Sequence, residues 1–364
     1  MKIALLNLPF DNNYGGNLQR YALMTVLQRM GHDVTHIFLR QYYKLPWYKA
    51  LKEFPLRIIR KYIVGRNLEV FWEWKYNIID NELSDKALPF YEKYIKHTVA
   101  ITDKREIASI CANAYDAYFV GSDQVWREDM TRQLGIENYF LGFVNDSSAK
   151  KIAYAVSLGS SAANFSSKLL PRLSELYGKF TAVSYRENSA KSIFDGYGWC
   201  HPKPELVLDP TLLLNAEEYE LLFKENEVSD YTSGKTYCYI LDQNEQVQQL
   251  ITEISKKNNN DCIIDGIADI DNYTSIPQCL FNIRNASLII TDSYHGTVFS
   301  IIFHKPFVFL GNERRGNTRV ESLFSTLCIN YDGLNPVFCG ETVYQRIEYM
   351  KKKSIMFLNN NLKK

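Results

Sequence analysis

The sequence predicts an α/β fold made of two consecutive units in which parallel strands alternate with helices. Three observations carry that expectation. Short apolar runs recur and each closes on a polar turn, as in "AYDAYFVGSD" and "ASLIITDSYHG". Apolar residues at helical spacing follow the first such run. Gly and Pro concentrate once in mid-chain, in "DGYGWCHPKPE" at 195–205, where the units would join.

Taken in order, "KIALLNL" (2–8) reads as a buried strand. "NLQRYALMTVLQRMGH" (17–32) carries Leu18, Ala22, Val26 and Met30 at helical spacing, and Gly31 closes that helix. "DVTHIFL" (33–39) is a second strand. "AYDAYFVGSD", "AKKIAYAVSLG", "FTAVSYRE" and "PELVLDPTLLL" each set a short apolar run before a polar turn, the pattern of parallel strands feeding helices. The pattern resumes in "KTYCYILD", "DCIIDG", "ASLIITDSYHG" and "KPFVFLG". The expected units are 1–198 and 205–345, followed by a helix or frayed tail over 346–364 that ends in "LNNNLKK".

Residues 41–100 interrupt the alternation. "QYYKLPWYKALKEFPLRIIRKYIVGRNLEVFWEWKYN" is crowded with aromatics, and over 41–75 eight Lys or Arg stand against three Glu. A helical insertion packed on the first unit is the plain reading. A surface that approaches anionic lipid or a lipid-linked substrate is the sharper one.

Composition sets the class. At 364 residues, 46% of them apolar and 23% charged, the chain suits a soluble globular protein with substantial cores. Forty-two Lys plus Arg against forty-one Asp plus Glu give a formal charge of +1, which gives no argument for nucleic acid, and no nucleic-acid partner is expected. Seven scattered cysteines without CxxC spacing argue against a disulfide framework and a structural zinc site, and fit a reducing cytoplasm. "MKIALLNL" has no signal-peptide pattern, and no window supplies about 18 uninterrupted apolar residues. The expected location is cytoplasmic, with a peripheral position at the inner face of the membrane if the insertion meets lipid.

Ligands of open parallel sheets collect at the carboxyl ends of the strands, so four strand-end turns are candidates. In "PFDNNYGGNLQRYAL", Gly15 and Gly16 permit close approach of a ligand, and the helix that follows offers N–H groups to an anion or a sugar hydroxyl. The spacing matches neither the GxGxxG fingerprint nor a P-loop, and a tight turn with an Asn cap explains it equally well. In "YFVGSDQVWRED", Asp123 and Gln124 suit paired hydroxyls and Trp126 suits a sugar face; otherwise Asp123 caps a helix and Trp126 fills core. In "AVSYRENSA", the planar fork of Arg186 suits a carboxylate or phosphate, unless it pairs with a neighbouring Glu.

The fourth turn is "TDSYHGTVFSIIFHKPFV". His295 is a proton donor or acceptor near neutral pH at what reads as a helix start, where a bound anion is favoured, although many such histidines are only hydrogen-bonded structure. Past the next strand, "RRGNTRV" adds Arg314, Arg315 and Arg319, cations for a ligand carrying both phosphate and carboxylate.

As an ordered set, "NNYGGNLQRYAL", "VGSDQVW", "SYRE", "LDPTLLL", "TDSYHGTVFSIIFHKPFV" and "GNTRVESL" resemble the polysaccharide pyruvyl transferase family, from about Lys2 to about Leu323. The resemblance implies a GT-B-like fold, two Rossmann-like domains facing across a central cleft. It implies transfer of the enolpyruvyl group of phosphoenolpyruvate to two sugar hydroxyls, forming a cyclic pyruvate ketal and releasing phosphate. The implied acceptor is a bacterial capsular polysaccharide or exopolysaccharide, or its lipid-linked precursor, with a galactose unit on an undecaprenyl-diphosphate-linked oligosaccharide as the specific expectation.

On that resemblance the donor falls to the second domain and the acceptor to the first. His295 becomes the proton-transfer residue, with Arg186, Ser293, Tyr294, Gly296 and Arg319 around the donor. Asn13, Tyr14, Gly15, Gly16, Asn17, Asp123, Gln124 and Trp126 surround the acceptor. Family members often carry a basic residue in an S-x-R-x-H run, whereas Tyr294 directly precedes His295 here, which shifts anion binding to arginines elsewhere. No cluster of His, Asp or Glu has ligand spacing, so neither a metal nor a cofactor is expected. Replacing His295 or Arg186 by Ala is expected to leave folding largely intact. The alternatives are a nucleotide-sugar glycosyltransferase of the same fold, with Glu313 or Glu321 reading a ribose, and a non-catalytic protein that binds an anionic glycan.

Overall fold

The computed structural model describes residues 1–42, 45, 47–111, 114–159, 165–257, 261–264, 273–312, 316–333 and 335–363. Among them are two all-parallel sheets. The first contains β1 (Lys2–Leu6), β2 (Asp33–His36), β3 (Ala117–Val120), β4 (Lys150–Val156), β5 (Ala182–Tyr185) and β6 (Glu205–Leu206), in the order β2-β1-β3-β4-β5-β6. The second contains β7 (Thr236–Tyr239), β8 (Cys262–Ile264), β9 (Leu288–Thr291) and β10 (Phe307–Phe309), in the order β10-β9-β7-β8. Each order reverses direction part-way, the doubly wound arrangement whose crevice lies beyond the strand carboxyl ends.

The alternating grammar of the sequence is the consequence of this layering. Strands covered on both faces have no polar side to show, so β3 is buried at all four residues. Pairing of Leu6 with Val120, and of Tyr239 with Thr291, fixes which turns end up together. In the helix Tyr14–Arg29, Leu18, Ala22 and Val26 are buried as their spacing predicts, and Gly31 follows at φ +84°. Its polar face is buried too: Asn17, Gln19 and Arg20 are enclosed. Arg20 is held by the carbonyls of Leu8 (2.7 Å) and Pro9 (3.0 Å) and by Asn17 Oδ1 (3.0 Å).

At the expected junction "DGYGWCHPKPE", Trp199 is buried, stacked on Tyr177 with centroids 4.8 Å apart, and Glu205–Leu206 joins the first sheet beside β5. The first sheet therefore takes in Glu205–Leu206, because a Gly- and Pro-rich stretch can be ordered by an aromatic anchor. Of the helix or frayed tail expected at the C-terminus, the structure has the helix. Helix Glu341–Leu362 crosses back to the first sheet, where Phe357 meets Tyr154, Ser354 Oγ accepts from the Leu208 amide (2.9 Å) and Lys150 Nζ donates to the Asn361 carbonyl (3.0 Å). One hydrophobic core runs from Leu5 and Leu18 through Leu208 and Tyr219 to Ile289 and Val298, so the two sheets share a packed junction.

Candidate active site

The junction brings four strand-end turns into one buried cluster of charge. Arg186 directly follows β5, and Asp209 follows β6 as the cap of the turn Pro210–Leu213, accepting from the Thr211 amide (3.0 Å) and hydroxyl (2.7 Å). Asp123 lies beyond β3 at φ 71°. From the second sheet, His295 sits in the first turn of helix Tyr294–Ile302, whose cap Ser293 accepts from the Gly296 amide (3.3 Å). Arg319 sits in the first turn of helix Thr318–Leu327.

Arg186 organises the group. Its side chain is 1% exposed; Nη1 donates to Asp209 (2.5 Å), Nη2 to Asp123 (2.6 Å), and Nε lies 3.8 Å from Glu187. The ring of Tyr294 covers the guanidinium at 4.7 Å. Glu187 in turn accepts from Ser157 Oγ (2.6 Å) and from the amides of Leu158 (3.1 Å) and Gly159 (3.2 Å). Gln19 Nε2 donates to Asp209 at 2.6 Å. His295 Nε2 lies 3.9 Å from Asp209 Oδ1, and Arg319 Nη1 lies 3.5 Å from Asp123.

The electrostatics follow from burial and pairing. Burial favours neutral His295 and, with Arg186 and Arg319 nearby, outweighs the attraction of Asp209 and Asp123, lowering its pKa to about 4. Burial alone would raise Asp123, but Arg186, Arg319 and His295 hold it down at about 2. Asp209 is lowered against its own burial by Arg186 and His295. Arg186 stays firmly charged despite burial because Asp123 and Asp209 flank it. Arg319 is lowered, burial being the main cause. Within hydrogen-bond distance, His295 Nε2, Arg319 Nε and Glu187 Oε2 have no partner among the described residues. Buried donors and acceptors in that state are suited to a ligand.

Several predicted residues do structural work instead. Trp126 is core: it is buried, its ring stacks on Phe140 at 4.4 Å, and its N–H donates to the Tyr139 carbonyl (3.0 Å), so it offers no face to a sugar. Asn13 caps the first helix by accepting from the Gly16 amide (3.3 Å), and Asn17 is buried, donating to the carbonyls of Asp11 and Asn13 at 3.0 Å. Tyr14 donates to the Thr274 carbonyl and stacks on Tyr239, tying the two halves together. Gln124 accepts from Arg127 (2.7 Å) and packs where a Cβ at Gly159 would stand. Gly16 has only ordinary neighbours, whereas Gly296 is required because a Cβ would fall 2.2 Å from Thr291 Oγ1. Arg186 is not a free anion clamp, since both arms of its fork are taken by carboxylates.

Gly15 is the exception in the first turn. A Cβ there would lie 1.9 Å from His295 Nδ1, so the starts of two helices from different sheets meet at a glycine and a histidine. Glu321 is exposed on its helix, while Glu313, Arg314 and Arg315 lie outside the described residues. Among the described residues no group of three or more His, Cys, Asp and Glu is placed to hold a metal ion.

The model of one family, polysaccharide pyruvyl transferase, matches residues 13–314. The chain belongs to the polysaccharide pyruvyl transferase family. No curated protein matches it. Among solved structures, S. aureus MnaA in complex with UDP superposes at a TM-score of 0.51, with 12% identity over 98% of this chain and 90% of that one. UDP-GlcNAc 2-epimerase from Neisseria meningitidis, bound to UDP-GlcNAc, gives 0.45 with 12% identity over 100% and 99%. An alpha-glucosyltransferase in complex with UDP gives 0.43 with 8% identity over 99% and 95%. At such identity the likeness is one of fold, the GT-B-like pair of parallel sheets.

In this pyruvyl transferase family member, the matched residues take in Gly15, Asp123, Arg186, Asp209 and His295, and end before Arg319. Sequence reasoning missed Asp209, Glu187 and Gln19. Asp209 had a local signal, an Asp before Pro at a strand end, which marks a capping carboxylate. Gln19 had none, being one polar residue on a helix face that only the fold buries.

Proposed function

We propose that the protein transfers the enolpyruvyl group of phosphoenolpyruvate to two hydroxyls of a sugar, forming a cyclic pyruvate ketal and releasing phosphate. Family membership supports the pyruvyl donor and polysaccharide acceptor. The observation that carries the chemistry is His295, buried at the junction of the two sheets, its Nε2 3.9 Å from Asp209 Oδ1 and without a hydrogen-bond partner among the described residues. The acceptor proposed is a bacterial capsular or extracellular glycan, or its lipid-linked precursor, with galactose as the sugar.

Burial favours neutral His295. A donor carrying carboxylate and phosphate reverses that balance, because its negative charge stabilises an imidazolium beside Asp209. Protonated His295 then gives its proton to the methylene carbon, and C2 becomes oxocarbenium-like. One sugar hydroxyl adds at C2, the C–O bond to phosphate breaks with its electron pair, and the second hydroxyl closes the ketal. Of the two hydroxyl protons, one restores His295 and the other leaves with phosphate. Arg319 and the start of helix Tyr294–Ile302 favour the donor's negative charge, while Arg186 keeps Asp209 and Asp123 ionised and in place.

Thermal melts with phosphoenolpyruvate, UDP and UDP-sugars test this reading. A ligand at a hundred times its Kd adds about 2.7 kcal/mol of stability. Stabilisation by phosphoenolpyruvate, followed by phosphate release on adding a galactose-containing acceptor, is expected. Stabilisation by UDP compounds alone replaces the reading with glycosyl transfer, and binding of glycan without phosphate release replaces it with a lectin-like role.

A further inference from the structure

Helix Trp47–Tyr62 turns an apolar face toward solvent, while Arg57 and Phe54 on another face meet Glu73 and Phe71. Trp47, Leu51, Ile58 and Tyr62 share one face at helical spacing, and Trp47 is 77%, Leu51 70% and Tyr62 73% exposed. No residue of this helix is buried. Its anchor is polar: Arg57, 13% exposed, donates to both oxygens of Glu73 (2.7 and 2.8 Å) and to the Val70 carbonyl (3.1 Å). Ile63, Val64 and Trp74 extend the exposed apolar surface. A soluble helix turns its apolar stripe inward, so a stripe held outward by an ion pair marks a docking surface.

We propose that this face lies on an anionic lipid bilayer. Charge selects that occupant. Over 41–75 eight basic residues face three Glu, and the structure engages two of the three, Glu73 with Arg57 and Glu69 with Lys75 (2.7 Å). Lys49, Lys52, Arg60 and Arg66 are exposed around the stripe, where their amines and guanidiniums reach headgroup phosphates while the stems follow the apolar surface. Trp47, Tyr48 and Tyr62 suit the boundary between headgroups and acyl chains. A second copy of the chain would set the same positive face against itself. The insertion also leaves the carboxyl end of the first sheet's edge strand β2, the same end from which Asp123 and Arg186 emerge, so docking would bring the site toward a lipid-linked acceptor.

The test is co-sedimentation of the full chain with vesicles of phosphatidylcholine alone or mixed with phosphatidylglycerol. Binding to the anionic vesicles at least about tenfold tighter, weakening with salt, is expected. The double variant Leu51→Glu/Ile58→Glu should lose that binding yet keep its melting temperature and its response to phosphoenolpyruvate, because both positions are exposed. Equal partition onto both vesicles, no sedimentation with either, or unchanged binding by the variant overturns the proposal. So does a dimer, measured by sedimentation velocity, that the same variant dissociates. The inference rests on the surface alone, so vesicle binding and phosphate release can fail independently.

Discussion

His295 Nε2 and Asp209 Oδ1 stand 3.9 Å apart across the junction of the two sheets, while Arg186 holds the other Asp209 oxygen at 2.5 Å. The histidine belongs to a helix after β9 and the aspartate to a turn after β6, so the pair exists only when the two halves are packed together. Asp209 thereby favours an imidazolium once a ligand adds negative charge, and Arg186 keeps Asp209 ionised.

Replacing His295 by Gln keeps the shape of the site and removes its titrating group. Phosphate release should fall at least about a hundredfold, the scale of losing one positioned acid, with the phosphoenolpyruvate-induced melting shift retained. Turnover within a few-fold of the parent would take His295 out of proton transfer.

Acid stability carries the same signature. The folded pKa of His295, about 4, lies below the usual 6.5, so between those values the unfolded chain binds more protons and stability falls as pH drops. This one group should contribute a loss of about 3 kcal/mol between pH 6.5 and pH 4. Urea melts at pH 7 and pH 4.5 should show the loss in the parent and a smaller one in His295→Gln. A further loss below about pH 4 is expected as Asp123, held at about 2, is protonated.

Arg186→Gln is expected to unfold the protein more readily, contrary to the expectation from sequence that replacing Arg186 leaves folding largely intact. It would leave Asp123 and Asp209 without their shared partner, a change that costs about 3–5 kcal/mol for buried pairs. A denaturation midpoint unchanged from the parent would show that the carboxylates are otherwise satisfied.

Gly15→Ala addresses the contact between the helix starts. Its Cβ would fall 1.9 Å from His295 Nδ1, so the imidazole must move. We expect kcat to fall at least about tenfold, since displacement by an ångström commonly carries a large penalty. Gly16→Ala, whose Cβ meets nothing closer than 3.7 Å, should leave kcat near the parent value. Equal effects of the two substitutions would mean helix propensity and not the His295 contact is at stake.

Much of the fold was legible because its signals are local. Runs buried on both faces must be apolar over their whole length, and helix starts need caps, so β3, β9 and the helices that begin near Asn13 and Ser293 announce themselves. The strand-end rule then pointed to Gly15, Asp123, Arg186 and His295. Trp126 misled because an indole after a strand suits a sugar face and a core equally, and only the placement of Phe140 decides. The pairing of Arg186 with Asp209 was not legible, because the two are 23 residues apart and pairing of charges across a chain leaves no periodic trace.

The sequence by itself therefore determined the alternating elements, the strand ends that form the candidate site, and the family to which the chain belongs. Tertiary structure decided which of those ends meet: that Gly15 touches His295, that Arg186 is enclosed by carboxylates, and that the Trp47–Tyr62 stripe faces outward. The physical reason is range. Burial periodicity and capping act over a few residues, whereas the field at a buried imidazole depends on charges that approach it from both sheets only when the chain is packed.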